Sequence, residues 1–454
     1  MQIKLCENLI KLSTLLPEPL YAVGGVVRNA YLGKEQTDID LSSPNGEEEF
    51  LHALNKVGFT VEAVYKRTGT VMFKDNNGVH YEHTQFRSEV YGGGGNHTPE
   101  STMPTKDITL DAKRRDFKCN AVYYDIKNQK VVDPLGGLDD IKNKVLDTVV
   151  DPEKVFCFDG LRLLRLCRFH GELGFEPTDG VINGARKYRE NIKDISPERI
   201  FDELKKMAVA DLKYSFSKKT AHYDAFKLCH RIGVLELILP ELTLGDGIIQ
   251  RSDFHNYDVL EHSLKTLLYS DKSIRIPALL HDVGKPYCYY RDANFLMHAS
   301  EGERIVEEIL TRLKAPKVLI EETRALTKLH MLDLDMKTKP SKVRRYIVDN
   351  YDILDKLLLI KQADFSACKD DLSIAPTVTK WKTVLKKMKE ENAPFSIKQL
   401  KIDGNDLKKI GFKGKNIGET LSELFYQAVL TPTLNEKEKL LSLAKSKLER
   451  STND

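Results

Sequence analysis

Two carboxylates two residues apart, Asp38 and Asp40, follow closely on a glycine pair and an arginine, Gly24-Gly25 and Arg28. In an extended segment residues i and i+2 share a face, so both carboxylates of Asp38-Ile39-Asp40 point one way and Ile39 the other. Carboxylates held that close repel each other unless a cation sits between them, and their hard oxygen donors suit Mg²⁺. Upstream, Leu20 to Val23 reads as a short strand, Gly24-Gly25 as a turn without side chains, and Val26 to Leu32 as a helix stopped by Gly33. The free N–H groups at that helix start favour an anion, and Arg28 adds a full charge with the geometry for phosphate. Either feature alone recurs in ordinary folds. In this order and at this spacing they predict a nucleotidyl-transfer site with triphosphate and metal side by side.

Other reactive residues lie downstream. Glu82, on a strand, can bring a third carboxylate to the metal pair, or can simply face solvent. The run Arg114-Arg115-Asp116-Phe117-Lys118-Cys119-Asn120-Ala121 places two arginines, an aspartate and an asparagine in one short element, as partners for phosphate and ribose or as a structural ion-pair cluster. From Phe156 to Phe169, read as one helix, Arg162, Arg165 and Arg168 recur every third residue with Asp159 one turn before them. A ladder of one sign beside apolar residues suggests a bound polyanion. Further on, His262, His281-Asp282, His298, His330 and Asp364 offer imidazole and carboxylate donors that can converge on one or two divalent ions.

The elements that must position these groups are legible in outline. Residues 1 to about 19 read as an amphipathic helix broken at Pro17-Glu18-Pro19, and Gly46 to Val57 as a second helix. Val61 to Tyr65, Thr70 to Phe73 and Val79 to Phe86 read as strands, with Asn76-Asn77-Gly78 as a hairpin turn. Ser88 to Ala112, with four successive glycines and few apolar anchors, reads as a long loop beside the site that acts as a lid. Residues 196 to about 245 read as helical, with Ser196 as N-cap and Pro197 at the first helical position.

Composition bounds the rest. A chain of 454 residues, 41% hydrophobic and 30% charged, is globular rather than disordered and long enough for two to four domains. With 70 basic against 67 acidic residues the net charge is +3, so nucleic-acid binding must come from local basic surface. Seven scattered cysteines without a CxxC pair predict free thiols in a reducing cytoplasm, and no apolar run reaches membrane-spanning length.

Five segments, taken together and in order, resemble the class II tRNA nucleotidyltransferases (CCA-adding enzymes) and the bacterial poly(A) polymerases: GGVVRNAYL with DID, RRDFKCNA, DPLGG, FDGLRLLRLCRF and ISPERIFDEL. The resemblance covers roughly the first half of the chain. It implies a head of the DNA polymerase beta superfamily in which Asp38 and Asp40 bind two Mg²⁺ ions, Gly25 and Arg28 hold the triphosphate, Arg114 or Arg115 or both hold phosphates, and Asp116 senses the ribose hydroxyl. It also implies that Asp159 and Arg162 pair with the incoming base of ATP or CTP, so that the protein itself is the template, with Arg165 and Arg168 continuing a phosphate-facing ladder. The family motif there is EDxxR, and this chain carries Phe158 at the Glu position.

The second half resembles an HD-type metal-dependent phosphohydrolase domain. That resemblance implies His262, His281, Asp282 and Asp364 as ligands of a divalent transition metal, with His298 and His330 left as structural histidines. Lys408, Lys409, Lys413 and Lys415 beside Gly411 and Gly414 fit a patch for the RNA backbone. The expected architecture is therefore α+β: a nucleotidyltransferase head with a mixed sheet over 1–145, a helical neck over 146–245, an HD domain over 246–375 and a helical RNA-binding tail over 376–454. The expected activity is addition of C and A from CTP and ATP to the tRNA 3′ end. A poly(A) polymerase, a CC- or A-adding enzyme, and an RNA- or nucleotide-binding regulator with HD phosphohydrolase chemistry are the alternatives.

Overall fold

The computed structural model describes residues 3, 5–34, 39–66, 68–92, 95 and 99–453. Asp38 lies outside them, so its expected place beside Asp40 has no structural description. The chain divides into two compact units, Met1–Leu244 with Ile309–Ala315, and Gly245–Glu308 with Pro316–Asp454.

The first unit starts with helix α1 (Glu7–Leu15), which buries Leu9 and Leu12. It is shorter than the expected helix to residue 19, because Leu16 precedes Pro17 and is extended, the conformation a following proline enforces. Strand β1 (Tyr21–Val23), helix α2 (Gly25–Tyr31) and strand β2 (Ile39–Ser43) follow, then helix α3 (Glu47–Val57), stopped by Gly58 in the left-handed region at φ 79°. Strands β3 (Thr60–Tyr65), β4 (Thr70–Lys74) and β5 (His80–Gln85) come next. The turn between β4 and β5 is the expected one: the Asp75 carboxylate accepts from the Asn77 and Val79 N–H groups, and Gly78 takes φ 79°.

Ser88 to Ala112 is not the structureless loop its composition suggests. Strands β6 (Arg87–Val90) and β7 (Ser101–Pro104) pair as an antiparallel ribbon, and helix α4 (Ile108–Lys113) follows, capped by the Asp107 carboxylate. The apolar anchors missing from this stretch are replaced by charge, since Arg87 and Glu89 alternate on the ribbon and bond to each other. Strands β8 (Tyr123–Asp125) and β9 (Lys130–Val132) complete a seven-stranded sheet ordered β3-β4-β5-β2-β1-β8-β9, in which only β2 and β5 run parallel. Strand β1 lies between β2 and β8, and its buried Ala22 and Val23 share the core with Leu41, Phe50, Phe73 and Tyr123.

The expected single helix from Phe156 to Phe169 is two. Helix α5 (Pro152–Phe158) ends, Asp159 is extended at φ −148° and ψ 104°, and helix α6 (Leu161–Leu173) begins afresh. The Asp159 carboxylate accepts from the Leu161 N–H at 2.9 Å, so the residue closes a new first turn instead of continuing the old one. Residues 196–245 are likewise interrupted, with helices Pro197–Ala208 and Ala221–Arg231 and two single turns, and Ser196 makes no side-chain cap. The fold of this unit is thus a mixed sheet with helices followed by a helical region.

Among its described residues the second unit is built from helices. One apolar core runs from Ile274 to Ala444 through Leu357, Trp381 and Leu424, so the segments before and after residue 375 share it. Trp381 is fully buried, and its indole N–H donates to the Asp333 carboxylate at 3.0 Å.

Candidate active site and candidate metal centre

Gly24 occupies the left-handed region at φ 79°, which lets the chain turn from β1 directly into α2. A Cβ on it would stand 3.7 Å from the Asp40 carboxylate, so the turn and strand β2 are in contact. Both open onto a cavity of about 390 Å³ whose walls also carry Arg28, Arg115, Asp116, Asn120, Asp159, Arg162, Arg165 and Arg168. The structure therefore brings together the residues singled out on the first strand, the RRDF element and the arginine ladder. Among the described residues, cationic side chains outnumber carboxylates seven to three on these walls, and Arg199 and Lys213, which the sequence did not single out as site residues, join them with Tyr214.

Arg28 is 1% exposed, and no ion pair among the described residues involves it. Its guanidinium donates to Asn120 Oδ1, to Asn29 Oδ1 at 3.2 Å and to the Tyr214 hydroxyl at 2.9 Å, while Nε is buried without a partner. A buried charge held only by neutral groups carries a desolvation penalty that an anionic ligand can offset. Asn120 hands the network on to Asp116, which also takes two bonds from Arg165 at 2.8 and 2.6 Å. Burial alone would raise the Asp116 carboxyl; the Arg165 guanidinium overrides it and leaves the pKa at about 2.

The arginine ladder differs from the expectation of free, phosphate-facing charges. Arg168 is tied to Glu203 at 2.6 Å and to Glu172 at 3.0 Å, and Arg165 to Asp116. Arg162 donates to the carbonyl of Arg114 at 2.7 Å and lies 3.7 Å from the Asp159 carboxylate. Acids from the same helix, from Asp159 and from other elements thus already pair with these guanidiniums. Arg114 and Arg115 are balanced too, by the fully buried Asp111 at 2.7 and 3.2 Å. Arg114 faces a second cavity of about 610 Å³, shared with Arg87, Arg115, Thr84 and Glu82. Asp40 lines both cavities.

Glu82 stands beside Asp40 across the parallel pair of β2 and β5. Burial, and then the charge of Asp40, raise its carboxyl above the usual range. Two neighbouring carboxylates that destabilise each other's charge fit a divalent cation between them.

In the second unit, five segments converge on Asp282. One carboxylate oxygen, Oδ2, lies 3.3 Å from His262 Nε2, 3.2 Å from His281 Nε2 and 2.6 Å from Lys285 Nζ. The other, Oδ1, lies 3.3 Å from His298 Nε2 and 3.4 Å from His330 Nε2. Asp364 completes the first set at 3.0 Å from His262. His298 and His330, expected to be structural, thus belong to the cluster; their spacing follows no helical period, so only tertiary packing reveals it. The Nδ1 atoms of His281, His298 and His330 are taken by the carbonyls of Ala278, Phe295 and Thr327 at 2.6–2.8 Å. That leaves each Nε2 as the inward donor atom, as in metal-ligating histidines. Lys285 pairs with Asp282 Oδ2, and donor atoms within each of two sets sharing Asp282 lie within 4.8 Å of one another. This donor set fits divalent transition metal ions.

Residues 20–147 match the family model of the poly(A) polymerase head domain, and residues 174–244 match that of the probable RNA- and SrmB-binding site of polymerase A. These matches make residues 20–147 similar to a polymerase-type nucleotidyltransferase head and residues 174–244 similar to the segment that follows such a head. The chain is 32% identical over 276 residues to the A-adding tRNA nucleotidyltransferase of Deinococcus radiodurans, a match covering 57% of this chain and 60% of that protein, so that about three-fifths of that relative's length is spanned. It is 25% identical over 438 residues to the CCA-adding enzyme of Staphylococcus saprophyticus, with 94% of each covered. The fold superposes on that of the Bacillus stearothermophilus CCA-adding enzyme in complex with CTP, with a TM-score of 0.68, 20% identity and 99% of each chain covered. Over its head and the region that follows, the chain is similar to poly(A) polymerases and to tRNA nucleotidyltransferases of the CCA- and A-adding kinds.

Proposed function

We propose that this protein adds C and A nucleotides, taken from CTP and ATP, to the 3′ end of tRNA without a nucleic-acid template. The observation that carries the reading is Arg28, buried and without a carboxylate partner among the described residues, at the wall of a cavity that Asp40 also lines. The triphosphate lies along Gly24, Gly25 and Arg28, where glycine allows close approach and Arg28 supplies the charge. The tRNA 3′ end enters through the second cavity, past Arg87 and Arg114, so that Asp40 stands between attacking hydroxyl and α-phosphate. Asp38 and Asp40, with Glu82 alongside, would hold Mg²⁺, which when bound would lower the pKa of the hydroxyl and neutralise the leaving pyrophosphate. Asp116 meets the ribose, and Asp159 and Arg162 offer the base one acceptor and one donor group, held in place by the Leu161 N–H and the Arg114 carbonyl. Exposed Lys408, Lys409, Lys413 and Lys415 contact the RNA backbone. The free cysteines fit a cytoplasmic protein, and no described helix is long and apolar enough to cross a membrane.

The A-adding relative favours a second reading, in which only the terminal A is added. Extension of three tRNAs, ending before the first C, the second C and the A, with CTP and ATP singly and together, separates them. Growth of all three supports the full activity; growth of the last alone supports A addition; an unlimited A tail supports a poly(A) polymerase; nucleotide binding without extension leaves a regulator. The two oxygens of Asp282, each facing its own pair of imidazoles, favour an additional metal-dependent phosphohydrolase centre in the second unit.

A further inference from the structure

Phe158, where the family has Glu, stacks face to face on Tyr91, with ring centroids 5.0 Å apart and planes 8° from parallel. The Tyr91 hydroxyl donates to the Glu89 carboxylate at 2.7 Å, and Glu89 lies 3.7 Å from the Arg114 guanidinium. The carbonyl of Arg114 accepts from Arg162 at 2.7 Å, and Arg162 faces Asp159, the residue after Phe158. These contacts close a ring from Phe158 through Tyr91, Glu89 and Arg114 to Arg162, with Asp159 and Arg162 as its last members.

A backbone clamp reinforces the ring at the same corner. The Gly95 N–H donates to the Cys157 carbonyl at 2.9 Å, and the Gly160 N–H donates to the Gly95 carbonyl at 3.1 Å, so the chain leaving Tyr91 is bonded on both sides of Asp159. Gly95 sits at φ 70°, and a Cβ there would lie 2.5 Å from Asn191 Cβ and 2.9 Å from the Asn191 carbonyl oxygen. Only glycine allows that approach.

We propose that the Tyr91–Phe158 stack is a brace that fixes the Asp159–Arg162 pair and thereby sets the selectivity for the incoming base, with Tyr91 and Phe158 acting as positioning residues. Tyr91 directly follows β6, so the stack ties the β6–β7 ribbon to the Asp159 corner. A hydrogen-bonding site discriminates between bases only while its donor and acceptor stay at fixed positions, and a loosened pair accepts the wrong base with less penalty.

The inference rests on the nucleotide-adding reading, and the test separates the two. In the full chain, kcat/KM is measured for ATP against GTP and for CTP against UTP on one truncated tRNA, and dissociation constants for the same nucleotides are measured without tRNA. Tyr91→Leu and Phe158→Leu are each expected to lower both discrimination ratios about tenfold, mainly through KM for the correct nucleotide, and the double variant to fall no further than either. Tyr91→Phe keeps the stack and loses only the bond to Glu89, and is expected to lower the ratios about threefold; it decides the matter if the leucine variants do not fold. A uniform fall in kcat with unchanged ratios, or additive losses in the double variant, overturns the brace. A wild type that binds nucleotides but extends no tRNA overturns the proposed activity, and the ratios of dissociation constants then decide the brace alone. A wild type that binds no nucleotide overturns both.

Discussion

Arg28→Met removes the buried guanidinium while keeping most of its volume. In the protein without nucleotide the change trades the bonds to Asn29, Asn120 and Tyr214 against relief of an unneutralised buried charge, and the net effect on stability is expected to stay within about 1 kcal/mol. With nucleotide bound, the variant lacks a charge-assisted contact to phosphate worth about 1.5–3 kcal/mol. At about 1.4 kcal/mol per tenfold, ATP should bind about 10- to 100-fold more weakly. Thermal unfolding with ATP at about 100 times the wild-type Kd makes this visible: the ligand stabilises the wild type by about 2.7 kcal/mol, and a variant weakened about 100-fold by only about 0.4 kcal/mol. Calorimetric titration with ATP measures the same loss directly. If Arg28→Met binds ATP within twofold of the wild type, Arg28 is a core residue and the placement of the triphosphate is wrong.

Three further outcomes are expected. Asp116 is held at about 2, against about 3.9 in an unfolded chain, so its pairing with Arg165 contributes stability that is present above the unfolded value and lost as pH falls through the folded one. The stability advantage of the wild type over Asp116→Asn, measured by urea unfolding, should therefore shrink by about 1–2 kcal/mol between about pH 5 and pH 2.5, and a constant difference would count against the pairing. His281→Ala should lose divalent metal by elemental analysis of the purified protein, as should wild type dialysed against a strong chelator; equal metal content in both would remove the second-unit centre. Binding of tRNA should weaken steeply with added salt, and replacing Lys408, Lys409, Lys413 and Lys415 by Gln should flatten that dependence; an unchanged slope means that the RNA lies elsewhere.

The first strand, the glycine turn, the three following strands and their hairpin were all legible, because alternation, glycine positions and turn residues are local signals. Most of the charged residues lining the cavity were legible as well, since turn, RRDF element and arginine series each carry chemistry in their spacing, whereas Arg199 and Lys213 were not. What the chain order hid was compensation. Glu203, from another helix, and Glu172, one turn on in the same helix, neutralise Arg168, which the ladder reading took as phosphate-facing charge, while Asp111 holds Arg114 and Arg115 in the ion-pair cluster that the sequence had left open. The corner at Asp159 was hidden for a related reason: helical spacing continues through it, and only the side-chain bond to the Leu161 N–H breaks the helix. His298 and His330 reach Asp282 through helix packing, which no period records. The ribbon between Arg87 and Pro104 is held by alternating charge and by Tyr91 on Phe158, where a search for apolar anchors finds none.

The claim on which the rest depends is that the head adds nucleotides to tRNA through Asp40. The mass of a tRNA lacking its last three nucleotides, measured after incubation with CTP, ATP and Mg²⁺ and either wild type or Asp40→Asn, tests it most directly. The account predicts that the wild-type product gains two C residues and one A and then stops, while the Asp40→Asn product gains nothing although the variant still binds ATP. Equal growth with both proteins, or none with the wild type, would contradict it.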